Sequence, residues 1–159
     1  MLWINLVLLL TLAWAEVRVD AIVMGRVKAL HVRVGQKVKK GQLLVEIDSS
    51  LYEVEKKRLQ AQLKEQGLRV ESVKRDFDRY QELYNRGFLS RSELEDWQTR
   101  YHVELSKYQQ IQAQIERLDV LIDYCKIRSP VDGRVKKFYV REGSFVNGTQ
   151  TPQALLELE

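Results

Sequence analysis

Arg79 and Leu83 stand four residues apart, and Ser90 follows after seven more, in a stretch that reads RYQELYNRGFLS. On a helix, residues at i and i+4 share one face. An arginine there offers charge-assisted hydrogen bonds, and a leucine beside it offers apolar contact. That is the chemistry of recognition, not of bond making. Each residue also has a plainer reading. Arg79 reads as one more solvated charge, an exposed leucine alone means little, and Ser90 is a good helix N-cap. Phe88 and Leu89 add a small apolar loop next to Leu83, which reads as a contact patch. Little else in the chain could do chemistry. Cys125 is the only cysteine, so an intrachain disulfide and a two-cysteine metal or redox motif are both excluded. His31 and His102 lie far apart with no ligand at metal spacing. No nucleophile–base pair stands out, and Gly35, Gln36, Lys37 and Gly41 read as turns between strands, not a phosphate loop. The reading is a non-enzyme without cofactor or metal.

Two helical segments position that stretch. Asp48, Ser49 and Ser50 stop a strand, and Ser50 with Glu53 forms a capping-box pattern that starts a helix. A seam then runs Tyr52, Lys56, Leu59, Leu63, Gln66, Val70, Val73, Phe77, Tyr80, Tyr84, with steps alternating between three and four as in a coiled coil. Gly67 weakens the helix without breaking the pattern. Because Tyr84 serves the seam, Leu83 is expected to be exposed. Asn85, Arg86 and Gly87 interrupt, and Ser90 with Glu93 makes a second capping box. The second seam runs Leu94, Trp97, Tyr101, Glu104, Tyr108, Ile111, Ile115, Leu118, Ile122, Cys125. A stripe of aromatic residues at this spacing reads as core, and Cys125 as a small buried apolar residue. The segments are of similar length and joined by a short loop, so they should pack antiparallel. About 35 residues at 1.5 Å each put the tip, about residues 85–90, roughly 50 Å from the base. Pro130 forbids helix beyond Arg128, so the hairpin is assigned to residues 49–128.

A β-rich piece lies on each side of the hairpin, at residues 16–48 and 129–159. In the first, residues 16–21 and 31–34 alternate polar and apolar as half-buried strands do, Leu43–Ile47 is a further strand, and Gly25, Gly35 and Gly41 mark turns. The second repeats the first. Gly25-Arg26-Val27-Lys28 matches Gly133-Arg134-Val135-Lys136, Val32-Arg33-x-Gly35 matches Val140-Arg141-x-Gly143, Val38 matches Val146, and residues 43–47 match 154–158. Neither half can bury a core alone, so the two should dock with pseudo-twofold symmetry. The fold class is α+β: a two-part β-sandwich with a long antiparallel α-hairpin inserted between its halves. Residues 1–15 carry a short apolar run ending Ala13-Trp14-Ala15, which reads as an export signal peptide too short to span a bilayer. A formal charge of +4 in 159 residues is mild and gives no reason to invoke nucleic acid.

Three features together resemble the periplasmic adaptors, or membrane fusion proteins (HlyD/AcrA-like), of tripartite efflux and type I secretion systems. They are the split biotinyl/lipoyl-like domain around a coiled-coil hairpin, the return phrase Ile127-Arg128-Ser129-Pro130-Val131-Asp132-Gly133-Arg134-Val135, and the spacing of Arg79, Leu83 and Ser90. In that family an Arg, Leu and Ser so spaced mark the tip that meets a TolC-type outer-membrane channel. The resemblance implies a homo-oligomeric ring in the periplasm of a Gram-negative bacterium, with an inner-membrane transporter as a further partner. It covers the chain after Glu16 and departs from the pattern twice. The position of a carrier lysine is taken by Asp48-Ser49-Ser50 and the inserted helices, so no lipoyl or biotinyl group is expected. No barrel or membrane-proximal segment is recognised, which reads as a minimal or truncated form. A lipoyl/biotinyl carrier domain and a purely structural coiled-coil protein remain as alternatives.

Overall fold

The computed structural model describes residues 15–159, so the signal-peptide segment lies, apart from Ala15, outside the described residues. The chain forms two units. One is built from the described residues up to Ile47 together with Ile127–Glu159, and the other is Asp48–Lys126.

Among the described residues the β unit holds eight strands: β1 (Val17–Ala21), β2 (Met24–Leu30), β3 (Lys37–Val38), β4 (Leu43–Ile47), β5 (Lys126–Arg128), β6 (Gly133–Phe138), β7 (Phe145–Asn147) and β8 (Gln153–Leu158). They form two four-stranded sheets, ordered β1-β8-β6-β3 and β5-β4-β2-β7. Exchanging each strand for its repeat mate turns one sheet order into the other. The halves interlock through equivalent hydrogen bonds. Gly35 N donates to Val135 O at 2.7 Å, and Gly143 N donates to Val27 O at 2.8 Å; Val135 N reaches Gln36 O, and Val27 N reaches Ser144 O. Arg134 donates to Gly35 O as Arg26 donates to Gly143 O. Both Gly35 and Gly143 hold φ near +85°, a conformation only glycine takes without strain. The core is contributed evenly: Val27 and Val135, Val38 and Val146, and Ile47 and Leu158 are all buried. Each half completes the other's sheets, which is why neither would close alone.

Two sequence expectations fail here. Residues 31–34 do not form a strand. They make the bend leading into Gly35, where the chain turns to bond across to the second half, and Val34 is exposed. Gly25 marks no turn; it lies within β2, opposite Val146.

The helical unit consists of α1 (Ser50–Asn85) and α2 (Arg91–Tyr124). All the proposed seam residues except Tyr84 are buried or half-buried. Phe77 stacks on Tyr101 with centroids 5.9 Å apart, and Tyr80 on Trp97 at 4.5 Å. The polar seam members are partnered. Gln66 Nε2 donates to Glu104 Oε2 at 2.6 Å and to the Glu104 carbonyl, and Lys56 reaches Asp119. Gly67 sits under Tyr108, whose ring carbon would lie 3.4 Å from an added Cβ. That close approach accounts for a glycine inside the helix.

Helix starts and stops also depart from expectation. Ser50 does not cap α1. It is already helical and donates from both N and Oγ to the Asp48 carboxylate, while Ser49 Oγ bonds Glu53. The carboxylate outcompetes the capping box as acceptor. At the other end α2 stops at Tyr124, and Lys126–Arg128, assigned to the hairpin from the proline limit, form β5 beside β4. Burial of Ile127 in the β core ends the helix before Pro130 can.

Candidate docking tip of the hairpin

The turn between the helices is built from two standard terminators back to back. Helix α1 ends with Gly87 at φ +81°. Gly87 N bonds Tyr84 O, and Phe88 N bonds Leu83 O at 3.0 Å. This paired pattern is the Schellman motif. Helix α2 begins with the predicted capping box. Ser90 Oγ accepts from Glu93 N at 3.3 Å, and Glu93 Oε2 accepts from Ser90 N at 3.0 Å. The Ser90 hydroxyl also donates to that carboxylate at 2.7 Å, and together these bonds hold the Glu93 carboxyl below its ordinary range. Five residues, 86–90, thus turn the chain with their exposed backbone bonds largely satisfied. The loop has a defined shape that can present side chains.

The three singled-out residues sit differently on that frame. Arg79 is 69% exposed and is tied only to Asp76, one turn back on its own helix, at 3.4 Å. Such a pair is weak and readily exchanged. Leu83 is half-buried, and Tyr84 is 38% exposed, reversing the sequence expectation. After Tyr80 the seam takes a step of three, to Leu83, because the helix must close its last turn on Gly87. Ser90 is the N-cap, and its hydroxyl is fully engaged. Apolar exposure at the tip therefore falls on Tyr84 and above all on Phe88, which is 73% exposed with the Arg86 guanidinium 5.7 Å from its ring centre. Sequence reasoning placed Phe88 in a patch but missed its partner Arg86. The signal was the Arg-Gly-Phe order, with glycine fixing the turn that brings the cation over the ring. Among the described residues no group of three or more His, Cys, Asp or Glu could hold a metal ion.

The family described as RND MFP, barrel-sandwich hybrid domain matches residues 15–158. The multidrug resistance protein MdtA of Yersinia pestis (strain Pestoides F) is 34% identical over 137 residues, covering 86% of this chain and 31% of the relative. MdtA of Escherichia fergusonii is 33% identical over 135 residues, covering 85% and 32%. The chain thus spans about a third of the length of the curated relatives it matches. Among solved structures, a MacA–MexA chimera containing the Pseudomonas aeruginosa MexA α-hairpin domain is 33% identical. It matches at a TM-score of 0.58, over 91% of this chain and 48% of that one. The membrane fusion protein Spr0693 of Streptococcus pneumoniae R6 shares the fold at a TM-score of 0.62 and 15% identity, over 91% and 62% of the two chains. The interlocked half-sandwiches, the hairpin inserted between them and these matches lead to one conclusion: the chain belongs to the RND membrane fusion protein family and carries its barrel-sandwich hybrid domain.

Proposed function

We propose that this chain is the adaptor part of a tripartite efflux system, and that its hairpin tip docks onto the periplasmic end of a TolC-type outer-membrane channel. The observation that carries the reading is the tip itself. A turn locked by a Schellman motif and a capping box holds Arg79 weakly paired and Phe88 exposed, in a chain of the membrane fusion family. Family membership and the MdtA relatives, named as multidrug resistance proteins, favour efflux. The role is assembly, not catalysis. Copies pack side by side into a ring in the periplasm of a Gram-negative cell, and an inner-membrane transporter engages the assembly elsewhere. In this reading Arg79 gives up its bond to Asp76 for an acceptor on the channel, Leu83 packs with the tip's apolar surface, and Ser90 shapes the turn.

The test is capture of a TolC-type channel from Gram-negative outer-membrane extract. Wild type is compared with Arg79→Asp and with Arg79→Asp/Leu83→Ser, each also fused to an oligomerising tag so that avidity is not limiting. Helical circular dichroism is checked alongside, because half-buried Leu83 also supports the seam. Capture by wild type and loss with Arg79→Asp is the expected outcome. Equal capture by all, or none by the oligomerised wild type, rejects the reading.

A further inference from the structure

The two halves of the β unit share a scaffold but not a surface. At the edge of one sheet, β3 pairs with β6 and sets Lys37 opposite Arg134. At the matching edge of the other sheet, β7 pairs with β2 and sets Phe145 opposite Arg26. The two arginines serve the same structural end, each donating to a glycine carbonyl of the other half. The turns that follow also match: Lys39 N donates to Gln42 Oε1 at 3.0 Å, as Asn147 N donates to Gln153 Oε1 at 2.7 Å. Yet Lys37, Lys39 and Lys40 stand where the second half has Phe145, Asn147 and Gly148. The scaffold therefore closes without lysine at these positions, and folding alone does not account for three of them.

Like charges directly opposite each other across strands are destabilising, so the Lys37–Arg134 juxtaposition comes at a cost. Lys37, Lys39 and Arg134 line an open concavity of about 500 Å³, together with Gln42 and Asp132. Lys37 and Lys39 flank buried Val38 and so project to the same outer side of the edge strand. All three cations are exposed, and none makes an ion pair among the described residues. Two acids stand near them. Asp132 accepts from Lys40 N through Oδ1 at 2.7 Å, and Glu159 exchanges backbone bonds with Arg134. Two further cations lie close by, Lys40 itself and Arg128, which donates to Gly41 O at 3.1 Å. Lysines elsewhere on this unit behave otherwise: Lys28, Lys136 and Lys137 each hold a glutamate carboxylate. The lining thus sets three unpaired cations against one acid.

We infer that this concavity binds a phosphate monoester group. Lys37 and Lys39 take its oxygens as point charges, which is how ammonium groups recognise phosphate. Arg134 contributes the guanidinium nitrogens it does not use on Gly35 O, and Gln42 offers its amide nitrogen as a neutral donor. A monoester carries close to two negative charges at neutral pH, which balances three cations and one acid; a single carboxylate would leave a cation unmatched. Asp132 opposes the ligand and limits its affinity. The recognised group is the same whether it is soluble or carried on the headgroup of an acidic lipid, and the experiment separates the two. The site lies in the β unit and does not depend on channel docking.

The test uses the full chain at low salt and about pH 8, where the monoester is fully charged. Inorganic phosphate is titrated by calorimetry, and co-sedimentation is measured with phosphatidylcholine vesicles with and without phosphatidic acid. Phosphate is expected to bind with a Kd of about 1 mM or tighter. Sedimentation only with phosphatidic acid present assigns the lipid headgroup, and phosphate binding without sedimentation assigns a soluble ligand; either upholds the site. Lys37→Gln/Lys39→Gln should weaken the binding at least about tenfold. Asp132→Asn keeps an acceptor for Lys40 N and should strengthen it about two- to fivefold. Lys57→Gln/Lys64→Gln removes the same charge from exposed positions on α1 and should change nothing, as should Arg79→Asp. Circular dichroism confirms each variant's fold. Absence of both phosphate and phosphatidic acid binding, equal weakening by the Lys57/Lys64 pair, or weaker binding by Asp132→Asn overturns the inference.

Discussion

Replacing Ser90 by alanine removes the acceptor for Glu93 N and the hydroxyl donor to the Glu93 carboxylate, while leaving Glu93 able to accept from the residue-90 backbone N–H. Loss of a serine cap costs about 1 kcal/mol, within a range of roughly 0.5–2. The surviving half of the capping box argues for the middle of that range. A loss of 1 kcal/mol lowers the melting temperature by about 4–8 °C if the hairpin unit melts by itself, and about 2–4 °C if the chain melts as one. Ser90→Thr keeps the hydroxyl and should stay within about 0.5 kcal/mol of wild type. Thermal denaturation followed by helical circular dichroism measures both variants. The pair also separates shape from contact. If Ser90 serves docking through the shape of the turn, Ser90→Thr binds the channel like wild type, and Ser90→Ala loses affinity in step with its stability. A Ser90→Ala midpoint within 1 °C of wild type would show that the capping box does not hold the turn.

Three further outcomes follow from the geometry. Gly148→Ala should cost about 3 kcal/mol, the upper end of overpacking penalties, because its Cβ would stand 1.9 Å from the Ala21 carbonyl oxygen, a backbone atom that cannot swing aside; urea titration would show the midpoint unmoved if this is wrong. Burial, with the nearby Asp48 and Glu53 carboxylates, pushes the Cys125 thiol up to about 11. A thiol-specific disulfide reagent at pH 8 should therefore find no reactive thiol in native protein and one in denaturant, and fast native labelling would contradict that burial. Glu157 accepts from the Tyr139 hydroxyl at 2.6 Å, and that bond, with the neighbouring Glu16 carboxyl and the Lys137 and Lys136 ammonium groups, holds its carboxyl down at about 2. A depressed acid contributes stability that is complete above its unfolded range near 4.5 and is lost as pH falls toward 2. Melting temperature should therefore fall more steeply across that window for wild type than for Glu157→Gln, and parallel curves would show no such contribution.

Most of the fold could be read from residues because each feature rested on a strong local signal. The repeat paired Gly35 with Gly143 and Val27 with Val135, and those pairs became the interlocking hydrogen bonds and core of the two sheets. The heptad steps named the seam down to Gln66 and Glu104, since only a partnered polar residue survives there. What failed was decided by competition over a few residues. Ser50 offered a capping box, but the Asp48 carboxylate was closer and charged. Residues 31–34 alternate like a strand, yet the φ required at Gly35 bends the chain there. Pro130 set an outer limit to the helix, while burial of Ile127 set the real one. At the tip, Leu83 and Tyr84 are neighbours of similar hydrophobicity. Which of them faces the seam depends on how the last turn closes on Gly87, and periodicity cannot report that.

The docking claim is tested most directly by a photo-crosslinking amino acid placed at Phe88 in living Gram-negative cells, with the same label at exposed Tyr139 of the β unit as control. Docking through the tip predicts a crosslink from position 88 to a TolC-type outer-membrane channel, lost when Arg79→Asp is added, and none from position 139. Absence of the channel adduct at position 88, or equal adducts from both positions, would contradict it.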